Sequence, residues 1–132
     1  MKKKISGCKK IVGGSGTGVT LVTSQPINFL AMVDAKTGTI TDHKHELFGK
    51  SLKGSVLFYP NAVGSSVGAY VFYSLVLNGV APSAIVCEKA DITTASGCAI
   101  ANIPVVDLPK KTGVEQGVKV KVDADAGTIA TV

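Results

Sequence analysis

A chain of 132 residues, 45% of them apolar, is long enough to bury roughly two-thirds of its unfolded surface around one core and too short for a two-domain enzyme. Val, Ile and Thr together number 38 against 8 Leu, with 15 Gly, a composition that favours strands and turns and argues against a helical bundle. The formal charge of +5 comes from 14 Lys and no Arg against 9 acidic residues, and without Arg, with few aromatics, base readout and stacking on nucleic acid are poorly served.

In chain order, residues 5–12 read as a first strand and residues 19–23 as a second, with Gly13-Gly14-Ser15-Gly16-Thr17-Gly18 between them as a turn. A phosphate loop at that glycine run would need a helix after it and a Lys-Ser/Thr pair, which does not follow. Residues 26–33 read as a Pro-led apolar strand ending at the turn Asp34-Ala35-Lys36-Thr37-Gly38, with residues 39–41 returning as a hairpin. His43 and His45, two apart, would share a face on a strand as a metal site requires, but no third ligand is evident, and surface or hydrogen-bonded histidines are the expected reading.

The second half alternates strand and helix. Residues 55–59 form a short buried strand, Pro60-Asn61-Ala62-Val63-Gly64 a turn, and residues 67–77 a helix apolar all round and therefore buried, closed by Asn78-Gly79. Residues 84–87 read as a strand, 93–102 as a small-residue helix packing closely on it, and 104–106 as a further strand. The order β, α, β, α, β argues for a small parallel sheet. Val118, Val120 and Val122 alternate with Lys119, Lys121 and Asp123, giving a half-buried strand with a wet lysine face, and Ala124-Asp125-Ala126-Gly127 turns it into residues 128–132. With no linker or repeat in evidence, residues 1–132 read as a single domain.

No run approaches the roughly 18 apolar residues that span a bilayer, and the Lys-rich start lacks an apolar stretch after it, so a soluble, cytoplasmic protein without membrane contact is expected. Cys8, Cys87 and Cys98 are odd in number and irregular in spacing, which suits reduced, buried thiols better than a disulfide framework or a metal knuckle. An iron-sulfur cluster would need thiolates from another chain. The lysines, an N-terminal cluster, isolated turn residues, the Lys110-Lys111 pair and the last strands, read as a solvated coat rather than one groove.

The segment Gly64-Ser65-Ser66-Val67-Gly68-Ala69-Tyr70 places two hydroxyls at the mouth of a helix that follows a buried strand, where α/β sheets bind ligands. First-turn amides and the helix dipole favour an anion there, yet the dipole contributes at most ~2 kcal/mol, about 1.5 pKa units, too little to ionise a serine alone. From spacing alone, Ser65 or Ser66 as a simple N-cap is the favoured reading. No G-x-S-x-G elbow, assigned base or carboxylate pair accompanies it; spacing alone describes part of a site.

The segments Pro26-Ile27-Asn28-Phe29, Val33-Asp34, Thr37-Gly38-Thr39-Ile40, Gly49-Lys50-Ser51, Gly64 through Tyr70, Asn78-Gly79-Val80-Ala81-Pro82 and Ile103 through Asp107 resemble, over nearly the whole chain, the small subunit of the aconitase X family. The resemblance implies an α/β swivelling domain of β/β/α type, like the mobile fourth domain of aconitase, β-rich with a small parallel sheet and few helices. It implies a heterodimer with a large subunit that carries an iron-sulfur cluster and most substrate contacts, this chain holding no metal. Ser65 would be the proton-abstracting base, and Gly64, Ser66, Val67 and Gly68 would contact a small anionic substrate. Archaeal members dehydrate (R)-5-phosphomevalonate to trans-anhydromevalonate 5-phosphate in a variant mevalonate pathway, the expected role; bacterial relatives dehydrate cis-3-hydroxy-L-proline, the alternative. A non-catalytic swivel or binding module, with the serines as caps, is a third reading. One departure stands out: ordinary aconitase has an arginine two residues after its serine, where this chain has Val67. The substrate anion would then be held by Ser66, by backbone amides or by the partner.

Overall fold

The computed structural model describes residues 3–108 and 113–132; the Lys110-Lys111 pair of the expected lysine coat lies outside them. Strands β1 (Lys4–Ile5), β2 (Lys9–Val12) and β3 (Ser15–Val22) are followed by a one-turn helix α1 (Phe29–Met32), β4 (Val56–Tyr59), a 3-10 turn (Ser66–Gly68) and α2 (Ala69–Leu77). Then come β5 (Ala84–Cys87), α3 (Ile92–Ala101), β6 (Val105–Asp107), β7 (Lys119–Asp123) and β8 (Thr128–Thr131). The strand order is β1-β8-β7-β3-β4-β5-β6-β2. β3, β4, β5 and β6 are parallel neighbours, whereas β7, β8 and β1 at one end and β2 at the other pair antiparallel.

Alternation along the central strands builds the layers. Leu57, Tyr59, Ile85, Cys87 and Val105 join Phe29, Phe72, Leu75 and Cys98 in a core on the helical side. Val56, Phe58, Ala84, Val86 and Val106 point the other way and pack on Val120, Val122 and Ile129 of the antiparallel wing. Every residue of β4 and β5 is buried, as expected for strands covered on both faces. The result is β/β/α, with β3 passing between layers: Ser15 to Val19 pair with β7 and Thr20 to Val22 with β4.

Several expectations change. Residues 5–12 are two strands, broken at Ser6-Gly7-Cys8, because β1 pairs with β8 while β2 pairs with β6 at the far end of the strand order. The glycine run is no turn beyond Gly13-Gly14: Gly16 and Gly18 lie inside β3, where any Cβ would collide with the carbonyls of Ser83 and Gly54. With strand rather than helix after the glycines, there is no phosphate loop. Residues 26–33 contain α1 instead of a strand, because Asn28 caps Phe29–Met32 through Ala31 N (3.1 Å). The hairpin survives as the single bridges Val33 to Ile40 and Thr39 to Ser51. Helix α2 is half-buried: Val71, Phe72 and Leu75 face the core, but Tyr70 and Leu77 are 69% and 68% exposed. Helix α3 makes its tightest approach to α2 rather than to β5, since a Cβ on Gly97 would meet Ala69 O at 2.6 Å. The strands at 55–59, 84–87 and 104–106, and the alternating β7 with exposed Lys119 and Lys121, stand as read.

Candidate functional site

The Gly64-Ser65-Ser66 segment leaves the carboxyl end of β4, the end at which parallel α/β sheets present ligands. A parallel bridge from Ile27 to Ala62 carries the connection, with Ile27 N donating to Asn61 O (3.3 Å) and Val63 N to Ile27 O (3.0 Å). At Gly64 the backbone takes φ +94°, a region that disfavours side chains. Ser65 is extended (φ −66°, ψ 146°), and its Oγ accepts from Val67 N at 3.2 Å while its carbonyl accepts from Gly68 N at 3.0 Å. The capping geometry is therefore present, and Ser65 and Ser66 are nonetheless exposed. Val67 is exposed as well, and Gly68 is buried, a Cβ there lying 3.6 Å from Thr93 Cγ2.

A partly buried hydrogen-bond relay fixes this loop from below. Asp91, N-cap of α3, accepts Thr94 N (2.9 Å) on Oδ2; its Oδ1 accepts both the Thr94 hydroxyl (2.8 Å) and, across 29 residues, Ala62 N (2.8 Å). With its own proton given to Asp91, Thr94 Oγ1 receives one from the Tyr59 hydroxyl. Burial, above all, pushes the Tyr59 phenol well above its ordinary range, so it stays a donor. Tyr59, Asp91 and Thr94 escaped sequence reasoning. An Asp just before a helical segment signals a cap, but nothing local points from Asp91 to Ala62.

The other candidates separate. His45 is buried and its Nδ1 accepts from Leu47 N (3.0 Å), while His43 is exposed and stacks on Phe48 with ring centroids 4.3 Å apart. They do not form a metal pair, and no group of three or more His, Cys, Asp or Glu among the described residues is placed to hold a metal ion. Cys8, Cys87 and Cys98 are free and buried, and desolvation raises all three thiols, Cys87 and Cys98 most strongly. A cavity of about 250 Å³ opens elsewhere, lined by Thr23, Phe58, Cys87, Glu88, Leu108 and Val114 among others, and Ser65 does not line it. The serine itself stands exposed at the surface.

The model of the aconitase X swivel domain matches residues 5–131. The chain belongs to the aconitase X family. Among curated relatives, the phosphomevalonate dehydratase small subunit of Methanocella arvoryzae is 46% identical over 123 residues, covering 91% of this chain and 93% of that one. That of Thermococcus kodakarensis is 41% identical over 126 residues, 96% of this chain and 94% of the relative. A crystal structure of Thermococcus kodakaraensis aconitase X in its holo-form superposes with a TM-score of 0.90 at 39% identity, covering 98% of each chain. The family resemblance and the β/β/α swivel fold expected from it are borne out. As for membranes, no helix among the described residues is long and apolar enough to cross one.

Proposed function

We propose that residues 1–132 act as one swivel domain, the small subunit of a two-chain hydro-lyase that dehydrates (R)-5-phosphomevalonate to trans-anhydromevalonate 5-phosphate, with Ser65 as the base. The observation that carries this reading is the placement of Ser65: an exposed hydroxyl at a helix mouth, fixed by Gly64 and the Asp91 relay. The identity to phosphomevalonate dehydratase small subunits supports the substrate. Exposed Val63, Val67 and Tyr70 around the serine support a large subunit docking over it and closing the site.

This chain's share of the chemistry is proton removal. Ser65 Oγ takes a proton from the carbon next to the substrate carboxylate, leaving an electron pair that becomes the new double bond as the neighbouring hydroxyl departs. Val67 N–H already points at Ser65 Oγ and stabilises its anionic form, and the helix dipole adds at most ~2 kcal/mol. The remaining lowering of the serine pKa, and loss of the hydroxyl, are assigned to the large subunit. Of the expected substrate contacts, Val67 and Gly68 direct their amides to Ser65 Oγ and the Ser65 carbonyl and shape the turn, which leaves the exposed Gly64 and Ser66 amides and the Ser66 hydroxyl for the substrate anion.

The residues present do not fit an iron-sulfur cluster. The three thiols are buried with raised pKa values, and no three-ligand group exists among the described residues. The cluster of the proposed enzyme is accordingly carried by the large subunit. The test is dehydration of phosphomevalonate, against cis-3-hydroxy-L-proline, by the two chains apart and mixed. Turnover of phosphomevalonate only on mixing supports the proposal; turnover of hydroxyproline instead moves the substrate, and none by the mixed, assembled chains leaves a non-catalytic module.

A further inference from the structure

Asn28 lies beside the serine loop with donor capacity unused. The Ile27 to Ala62 bridge runs the two segments in parallel, so Asn28 comes alongside Val63 and Gly64. The contact is close: a Cβ added to Gly64 would fall 2.7 Å from Asn28 Cγ and closer still to Nδ2. Glycine at position 64 is thus required twice, by φ +94° and by the carboxamide lying against it. The amide has a defined orientation, because Oδ1 accepts Ala31 N as the cap of α1 (3.1 Å). That leaves Nδ2 on the Gly64 side, half-buried and with no hydrogen bond to any described residue. Lying against Gly64, one residue before a candidate base, this amide has two N–H donors free of the chain and is placed to donate to a bound ligand.

We infer that Asn28 is a substrate-binding residue whose Nδ2 donates to an oxygen of the substrate carboxylate adjacent to the carbon deprotonated by Ser65. The inference rests on the proposed role of Ser65. Loss of that proton spreads negative charge onto the carboxylate oxygens, so a fixed neutral donor there binds the transition state more tightly than the ground state. It also answers the lack of a guanidinium on this chain: with no Arg, the carboxylate is gripped by an amide held rigid by its cap.

The test uses the assembled two-chain enzyme. Asn28→Asp keeps the oxygen that caps α1 but replaces the donor with a charge facing the substrate anion, and Asn28→Ser keeps a capping oxygen while removing the amide. We expect kcat/KM for phosphomevalonate to fall roughly 100-fold or more in Asn28→Asp and about tenfold in Asn28→Ser, with assembly and melting temperature near wild type. Calorimetric binding of phosphomevalonate to a Ser65→Ala complex, with and without Asn28→Asp, reads the contact without turnover; about tenfold weaker binding is expected on adding the second change. Binding and kcat/KM within twofold of their controls would overturn the role of Asn28 while leaving Ser65 untouched. Full turnover by Ser65→Ala would overturn the base instead, and the binding comparison would still decide Asn28. If Asn28→Asp fails to assemble, Asn28→Ser decides by the same two readouts.

Discussion

Asp91 Oδ1 accepts the backbone amide of Ala62 at 2.8 Å, tying the start of α3 to the loop that presents Ser65 three residues later. One carboxylate thereby serves as a helix cap and as the strut of a candidate active-site loop. Asp91→Ala should cost roughly 1–3 kcal/mol of stability, through the lost cap and the unpaired Ala62 amide. It should also lower kcat by tenfold or more in the assembled enzyme, because the serine loses its fixed position. Melting curves and kinetics check both, and unchanged kcat with reduced stability would confine Asp91 to capping.

Gly64→Ala should disturb the same loop from above. The new methyl needs space held by the Asn28 carboxamide, at a φ that side chains avoid, and strain of this kind costs on the order of 1–3 kcal/mol. Denaturant unfolding should show a loss of that size, with kcat/KM falling more than tenfold. A variant as stable and active as wild type would contradict the geometry described for this loop.

What was legible in the sequence follows from where each signal is stored. Strands β4 and β5 show as short apolar runs because both faces are covered, and β7 shows as Val-Lys alternation because one face is wet. Phe29-Leu30-Ala31-Met32 misleads, since a four-residue apolar run has no period to separate strand from a single helical turn. Gly16 and Gly18 mislead for a different reason: they are chosen by the carbonyls of Ser83 and Gly54, which are distant in sequence. Ser65 is conspicuous as Gly-Ser-Ser before a helix, whereas its supports Asp91, Thr94 and Tyr59 reach the loop only through tertiary hydrogen bonds. The outward apolar side of α2 looked like core because hydrophobicity alone does not distinguish a buried face from an exposed one.

The acid limb of stability should depend on Glu46. Its Oε1 accepts the Thr23 hydroxyl and Ser24 N (2.9 Å), and these bonds, Thr23 first, hold the carboxyl below the ordinary glutamate range. With the folded value below the unfolded one, the stabilisation is complete at neutral pH. It is lost as pH falls past about 4.3 and through the lower, folded value. The stability difference between wild type and Glu46→Gln, measured by unfolding across pH 7 to 3, should shrink on acidification. A difference independent of pH would contradict the assignment.

The thiols should resist alkylation in the folded chain. Cys8, Cys87 and Cys98 are buried, and burial raises their pKa values, so little thiolate is present at pH 8. Iodoacetamide followed by mass measurement should find the native chain almost unmodified after a time that labels all three cysteines in denaturant. Rapid native labelling of Cys87 or Cys98 would show that the helical-side core opens.

Kinetics of Ser65→Ala in the assembled two-chain enzyme test the central claim most directly. Asparagine 28, Asp91 and Gly64 would still be in place, and removing one exposed hydroxyl leaves the core intact. The account predicts a complex that forms and binds phosphomevalonate, with kcat reduced by about 100-fold or more. A Ser65→Ala complex that dehydrates phosphomevalonate at a rate near wild type would contradict it.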